Sequence, residues 1–325
     1  MYVMVTGAAG FIGAAVAEAL LRSGVRVIGV DNLNSYYEVS LKEARLERLR
    51  AFDGFEFVQA DISDREAIFA LEPRCKGLTH IVHLAAQAGV RYSLIDPYAY
   101  VASNVMGHVV MSEFAKRIET LEHFVYASSS SVYGANKEMP FSIEDRVDQP
   151  DSLYAATKRA DELLARTYAH LWKLPCTGLR FFTVYGPWGR PDMAAFIFTK
   201  AIFEGRPIKV FNDGEMWRDF TFIDDIVAGV IAVMHRPPTD LTPPNRVYNL
   251  GNHRSEKLTR FIEVIEEAAG RKAEIEFAPL QPGDVVATYA DIEASRRDFG
   301  FEPKTPIEEG IPRFVEWYRG YNGLT

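Results

Sequence analysis

Cysteine is scarce in this chain of 325 residues: Cys75 and Cys176 are its only two, and no CxxC pairing exists. That excludes a disulfide framework and a cysteine zinc site, and it suits a reducing compartment. Histidine is scarce as well. Of the seven, only His80 and His83 stand close together, with no HExxH pattern beside them, so they read as residues of a buried strand and no metal is expected. Positive charge is in deficit, with 36 Lys plus Arg against 44 Asp plus Glu and a net charge of −8. A nucleic acid or an anionic membrane would need a basic face to displace counterions, so neither is an expected partner. A small anionic ligand, which needs only a few cations in one cleft, stays open. No apolar run approaches the roughly 20 residues of a membrane span, and the first residues run straight into a strand pattern without a charged leader. These absences together predict a cytoplasmic protein.

What is present has the profile of a globular chain, 48% apolar and 25% charged. The length suits two lobes of about 150 residues each. Short apolar runs at 2–6, 25–31, 55–60, 80–84, 123–128 and 176–182 alternate with amphipathic stretches such as 11–22, 41–49, 98–116 and 151–171. Near-continuous apolar strands separated by helices predict a parallel sheet covered on both faces. Beyond Phe182 a Pro/Gly-rich stretch from Tyr185 to Asp192 gives way to shorter elements, with a Pro-rich segment at 237–244. The expected fold class is α/β, with a Rossmann-type doubly wound parallel sheet over 1–180. A smaller mixed α/β substrate lobe is expected over 181–325, with some of its chain returning to the first domain.

The segment Thr6-Gly7-Ala8-Ala9-Gly10-Phe11-Ile12-Gly13 follows the first strand and opens the first helix. Gly7 permits a tight turn, Gly10 lets backbone approach a pyrophosphate, and Gly13 permits close helix–strand packing. Phe11 and Ile12 lie at the helix N-terminus, whose N–H groups and dipole favour phosphate. Asp31 ends the second strand, 18 residues after Gly13. A carboxylate there accepts from both ribose hydroxyls and repels a 2′-phosphate, which predicts NAD as the cofactor. Asn32, Asn34 and Ser35 either extend those polar contacts or cap the helix that follows. Asp61, with Ile62 beside it, either bonds the adenine amino group or caps a helix. Leu84, Ala85 and Ala86 end the fourth strand, where small residues admit either the second ribose or ordinary close packing.

Tyr154 and Lys158 are four apart in a helical stretch and so share one face. A phenol titrates near 10, and bringing it close to neutrality takes about 4 kcal/mol, which a poorly solvated neighbouring cation helps to supply. Such a pair makes a general base for an alcohol proton. The cluster Ser128-Ser129-Ser130-Ser131-Val132-Tyr133-Gly134 leaves the fifth strand and offers a hydroxyl to the same reaction.

The glycine pattern, the serine cluster with Val-Tyr-Gly and the Tyr-x-x-x-Lys pair together resemble the extended short-chain dehydrogenase/reductase family of nucleotide-sugar enzymes, over essentially the whole chain. The resemblance implies Ser129 as the catalytic hydroxyl, Tyr154 as the base, Lys158 as its activator and Asn104 as a support from the preceding helix. Dehydratases and decarboxylases of the family carry an acid just after Ser129. This chain has Ser130 and Ser131 there, which leaves oxidation at one carbon followed by return of the hydride, the chemistry of an epimerase. The stretch Arg180–Met193 is similar to that of UDP-glucuronate 4-epimerases, with Thr183 where galactose epimerases carry Asn. The implied substrate is a UDP-sugar, and Arg190 is either the partner of its carboxylate or a loop ion pair with Asp192. Phe211 resembles the residue that stacks on uracil, or is a core strand residue. Arg218 resembles the diphosphate arginine, or is an ion pair with Asp219. Asp284 resembles the ribose acid, or is a turn aspartate. Gln281 stands where galactose epimerases have a second diphosphate arginine, and Arg91 is a candidate replacement.

The expected reaction is C4 epimerisation of UDP-glucuronate to UDP-galacturonate with tightly held NAD. A different UDP-hexose 4-epimerase or a UDP-glucuronate decarboxylase is the alternative, and a non-enzymatic NAD-binding regulator is disfavoured by the presence of Tyr154 and Lys158. The resemblance also implies a homodimer through the helices at 98–116 and 151–171.

Overall fold

The computed structural model describes residues 1–280 and 285–324. Mostly apolar runs bury both faces of a strand in the middle of a sheet, and six strands, with Phe55–Gln59 as a partly exposed edge, form the predicted sheet. These are β1 (Tyr2–Thr6), β2 (Arg26–Asp31), β3 (Phe55–Gln59), β4 (His80–His83), β5 (His123–Ser129) and β6 (Cys176–Phe181), each ending within one residue of its expected bounds. His80 and His83 are buried within β4. A seventh strand, Asn245–Leu250, pairs in parallel with β6, Leu250 lying opposite Phe181. It brings chain from well beyond residue 180 back into the first sheet. From edge to edge the order is Asn245–Leu250, β6, β5, β4, β1, β2, β3, all parallel. The chain leaves β1 toward β3 and returns on β1's other side at β4. The loops beyond the carboxyl ends of β1 and β4 therefore diverge, and a crevice opens there for a ligand.

Helix α1 (Phe11–Arg22) and helix α2 (Val39–Arg50) follow β1 and β2. The single helix expected over 98–116 is interrupted. Residues Pro97–Tyr100 are α-helical, Val101–Met106 form a π-helical stretch, and Gly107–Arg117 resume the α-helix. The widened turn carries Asn104, whose buried side chain bonds away from its own helix, to Gln87 and Thr157. Helix Leu153–Trp172 starts at Ser152, whose hydroxyl accepts from the Ala155 amide at 3.1 Å.

The remaining chain forms short paired strands, Thr183–Tyr185 with Phe220–Phe222 and Ile208–Phe211 with Ile275–Ala278. Over these pack the helices Ala194–Glu204, Leu258–Ala269 and Ile307–Asn322. Their core is aromatic: Phe220 stacks on Phe261 at 3.8 Å, with Tyr185 edge-on to both. Helix Ile223–Met234 packs against α1. One apolar core therefore runs from the sheet into the second lobe, which fixes the walls of the cleft relative to each other.

Candidate active site

A cleft of about 490 Å³ lies over the carboxyl ends of the strands, a volume that suits a small-molecule or cofactor site. Gly7, Gly10, Phe11, Ile12 and Gly13 form its floor. Gly7 has φ +71°, and a side chain there would meet the Ala85 backbone; a Cβ on Gly13 would sit 2.0 Å from the Gly7 carbonyl oxygen. The turn closes with the Gly10 amide donating to the Gly7 carbonyl at 2.8 Å. Gly10 caps α1 without any side-chain bond, so the first amides of the helix point at the cleft with no capping side chain in front of them. Asp31 is buried, and its carboxylate accepts from the Ala9 amide at 3.1 Å and the Leu33 amide at 2.9 Å. Three glycines whose Cβ would clash, an uncapped helix start and a strand-end carboxylate fit a dinucleotide.

Several neighbours are placed differently from their expected contacts. Asn32 and Asn34 line the cleft but also build turns: Asn32 donates to Asp61 and accepts from the Asn34 amide, and Asn34 accepts from Lys42 Nζ at 2.9 Å. None of Asn32, Asn34 and Ser35 caps α2, which starts after Glu38. Ser35 is exposed and is not among the residues lining the cleft. Asp61 also lies outside the lining, between Ala60 and Ile62, which belong to it. Nor does it cap the next helix, where Asp64 does so. Burial pushes the Asp61 carboxyl up, but bonds from Ser63 and Asn32 outweigh this and hold it below the ordinary value. Leu84, Ala85 and Ala86 line the cleft, and Asn104 stands one layer behind them. It accepts from the Gln87 amide at 2.8 Å and donates to the Gln87 carbonyl at 3.1 Å, so its reach is across elements and not within its helix.

On the opposite wall Ser129, Ser130, Ser131, Tyr154, Lys158, Thr183, Arg190 and Arg218 face the same space. Ser129 donates to the Ser131 hydroxyl at 3.1 Å and accepts from the Ser131 amide at 3.2 Å. Lys158 is buried, and its ammonium donates to the Ala127 carbonyl and to Asp161 Oδ2, both at 3.0 Å. Burial pushes Asp161 up to about 6 against the pull of Lys158. It also drives His83 down to about 3, helped by the Lys158 charge, so that imidazole stays neutral. Beneath the serine cluster lies a buried polar network with no local signature in the chain. Ser128 donates to Glu162 at 2.6 Å, Arg180 grips both Glu162 oxygens at 2.9 and 3.1 Å, and Arg180 also donates to the Tyr133 hydroxyl. Burial raises the Glu162 carboxyl, but Arg180, Ser128 and Arg159 prevail and hold it below its ordinary value.

Arg190 forms the loop ion pair with Asp192, at 2.5 Å, and also lines the cleft. Arg218 lines the cleft and donates to the Trp217 and Val286 carbonyls. The Asp219 carboxylate accepts from the Asn252 and Ala290 amides and the Thr221 hydroxyl. Phe211 is outside the lining, half-buried, with the Arg91 guanidinium 4.6 Å over its ring. Asp284 and Gln281 lie outside the described residues. Sequence reasoning missed Tyr36 and Lys42, both in the lining. The paired aromatics Tyr36-Tyr37 between a cofactor strand and its helix were the available signal.

The chain matches the NAD dependent epimerase/dehydratase family over residues 3–251. It is 46% identical to Protein CapI of Staphylococcus aureus over 338 residues, covering 99% of both chains. It is also 46% identical to UDP-glucuronate 4-epimerase 4 of Arabidopsis thaliana, over 98% of this chain and 75% of that one. Among solved structures it superposes with a TM-score of 0.91 on the UDP-glucuronic acid 4-epimerase of Bacillus cereus in complex with UDP-glucuronic acid and NAD, at 33% identity over 99% of this chain and 100% of that one. The family's cradle, serine cluster and Tyr/Lys pair all open on one cleft here, and the chain belongs to the NAD dependent epimerase/dehydratase family.

Proposed function

We propose that this protein is a UDP-glucuronate 4-epimerase that interconverts UDP-glucuronate and UDP-galacturonate. The observation that carries the reading is one cleft joining a dinucleotide cradle to Ser129, Tyr154, Lys158 and Arg190, with hydroxyls and no carboxylic acid at positions 130 and 131. Likeness over nearly the whole of this chain to relatives of that activity supports it.

Gly7, Gly10, Gly13 and the start of α1 hold the cofactor's pyrophosphate, and Asp31 holds its adenosine ribose. When bound, NAD accepts a hydride from the sugar's C4 and returns it. Tyr154 takes the proton of the C4 hydroxyl, and Ser129 bonds the same oxygen. Lys158, desolvated and fixed by Ala127 and Asp161, places a positive charge one helical turn from the phenol. Turning the flat 4-keto sugar in the cleft lets the hydride come back to the other face. That keto group lies beside the C5 carboxylate, and a β-keto acid loses CO₂ when the breaking bond aligns with the carbonyl π system. Thr183, Arg190 and the serines hold the carboxylate out of that alignment, so geometry selects inversion. Arg218, Phe211 and Asp284 are the uridine diphosphate contacts in this reading, and residues 181–325, apart from the strand that joins β6, are the sugar-nucleotide lobe.

The protein works as a homodimer through helices Gly107–Arg117 and Leu153–Trp172. Exposed apolar side chains along these elements and just before them, with Tyr98 83% and Ile95 76% exposed and Met106, Leu163 and Trp172 also bare, support that packing. Two free, buried cysteines support a cytoplasmic setting, and among the described residues no helix is long and apolar enough to cross a membrane.

The test incubates purified protein with UDP-glucuronate and no added NAD, with products read by NMR. UDP-galacturonate is expected; a UDP-pentose with CO₂ makes the protein a decarboxylase. Tyr154→Phe should lower kcat about 10³-fold, and inversion at the wild-type rate removes Tyr154 from its role.

A further inference from the structure

Arg190 reaches the cleft on a loop that has no secondary structure of its own, yet its guanidinium is closely fixed. Its Nε donates to Asp192 Oδ1 at 3.0 Å and its Nη2 to Asp192 Oδ2 at 2.5 Å. A guanidinium is planar, with five N–H groups in a rigid fork. The pair with Asp192 uses the Nε–Nη2 edge and leaves Nη1, with the second proton of Nη2, along the adjoining edge.

Asp192 is itself anchored from a distant part of the chain. Tyr36 Oη donates to Asp192 Oδ2 at 3.0 Å, and the Tyr36 ring packs on Tyr92 with centroids 4.7 Å apart. Burial and the charge of Asp192 push the Tyr36 phenol up to about 12, so it remains a donor. Burial acts to raise Asp192, but Arg190 and Tyr36 outweigh it and hold the carboxyl below its ordinary value, so it remains charged. The backbone is tied at a second point. Trp188, at φ +65°, has its carbonyl gripped by Arg45 Nη2 at 2.6 Å, and the same fully buried guanidinium donates to Gly189 O at 3.1 Å and Ala9 O at 3.0 Å. The loop carrying Arg190 is thus fastened to the segment after β2 by Tyr36 and to α2 and the glycine turn by Arg45.

We propose that Asp192, clamped by Tyr36, is the positioning residue that makes Arg190 selective for a sugar carboxylate: it occupies one edge of the guanidinium and turns the adjoining edge toward C5 of the sugar. The proposal rests on the epimerase reading. Asp192 also offsets much of the Arg190 charge, so plain attraction for an anion is weak at this spot. Discrimination between a uronate and a neutral hexose then comes from the direction of a two-pronged bond, which a carboxylate satisfies and a hydroxymethyl group does not.

Full-length Asp192→Asn and Tyr36→Phe proteins are compared with wild type by calorimetric binding of UDP-glucuronate and UDP-glucose, with bound NAD and Tm as controls. Asp192→Asn should weaken UDP-glucuronate about tenfold and change UDP-glucose by less than about twofold. Tyr36→Phe, which deletes one hydroxyl and carries the test if the other variant fails to fold, should weaken UDP-glucuronate alone by about threefold. Unchanged or tighter UDP-glucuronate binding overturns the proposal, the latter by making Asp192 a competitor. So does an equal loss for both sugars, which marks a structural role. Wild-type protein that binds UDP-glucuronate no better than UDP-glucose overturns the substrate reading instead, before any variant is compared.

Discussion

On the cofactor side of the cleft, Gly7, Gly10, Gly13 and Asp31 come from one continuous strand–turn–helix–strand unit, residues 2–31. On the wall proposed for the sugar, Ser129, Tyr154, Thr183, Arg190 and Arg218 come from five separate segments spread over about ninety residues. The first half is built from backbone, where absent Cβ atoms and uncapped helix-end amides face the cleft. The second is built from side chains that converge only because buried polar ties hold their segments together. Damage to the first half should therefore be steric and should remove both functions. Damage to the second should be electrostatic and separable from cofactor binding.

The largest effect is expected at Gly13. A methyl group there falls 2.0 Å from the Gly7 carbonyl oxygen, backbone that has nowhere to move without opening the turn. Gly13→Ala should lower stability by about 4 kcal/mol in urea unfolding and yield protein without bound NAD. Wild-type NAD content in that variant would sink the claim that the turn is sterically determined.

Next comes Glu162, the hub beneath the sugar wall. Glu162→Gln leaves the Arg180 cation buried with a neutral partner, and a loss of about 3 kcal/mol is expected near neutral pH. The sign with pH follows from the pair. The folded carboxyl lies below its ordinary value of 4.5, so its stabilisation is complete above about pH 4.5. It fades as pH falls through the folded value. The gap between wild type and Glu162→Gln should close on acidification below pH 4.5; a gap independent of pH would mean that packing, and not charge, holds the serine strand.

The same contrast decides what was legible in the sequence. Strand bounds, the glycine turn and Asp31 follow from apolar periodicity and from spacings within one unit, so they could be read directly. The π-helical stretch at Val101–Met106 could not, because the contact its Asn104 makes is long-range, accepting from the Gln87 amide seventeen residues away. Arg45 was equally hidden: α2 reads as an ordinary charged helix, and nothing local shows that its arginine is fully buried under the Trp188 turn. Asp61, read from its strand-end position, is held in a turn with Ser63, and neither it nor Ser35 is among the residues lining the cleft.

The smallest effect is expected at Arg218, and it tests the separability of the two halves most directly. Its Nη1 is spent on the Trp217 and Val286 carbonyls, at 2.9 and 3.1 Å, which fix the guanidinium at the rim of the cleft. A fork held by two carbonyls loses little freedom when a diphosphate arrives, so the residue's worth is that of a charged hydrogen bond in a partly wet place, about 1.5 kcal/mol. Arg218→Ala should weaken UDP binding about tenfold with bound NAD and Tm unchanged, and the salt dependence of UDP affinity should flatten. Arg218→Lys keeps the charge and loses the fork, so it should recover the salt dependence but only part of the affinity. Loss of NAD in step with UDP would show that the lobes respond as one body through their shared core. The division between a backbone-built and a side-chain-built half would then describe how the cleft is assembled but not how it binds.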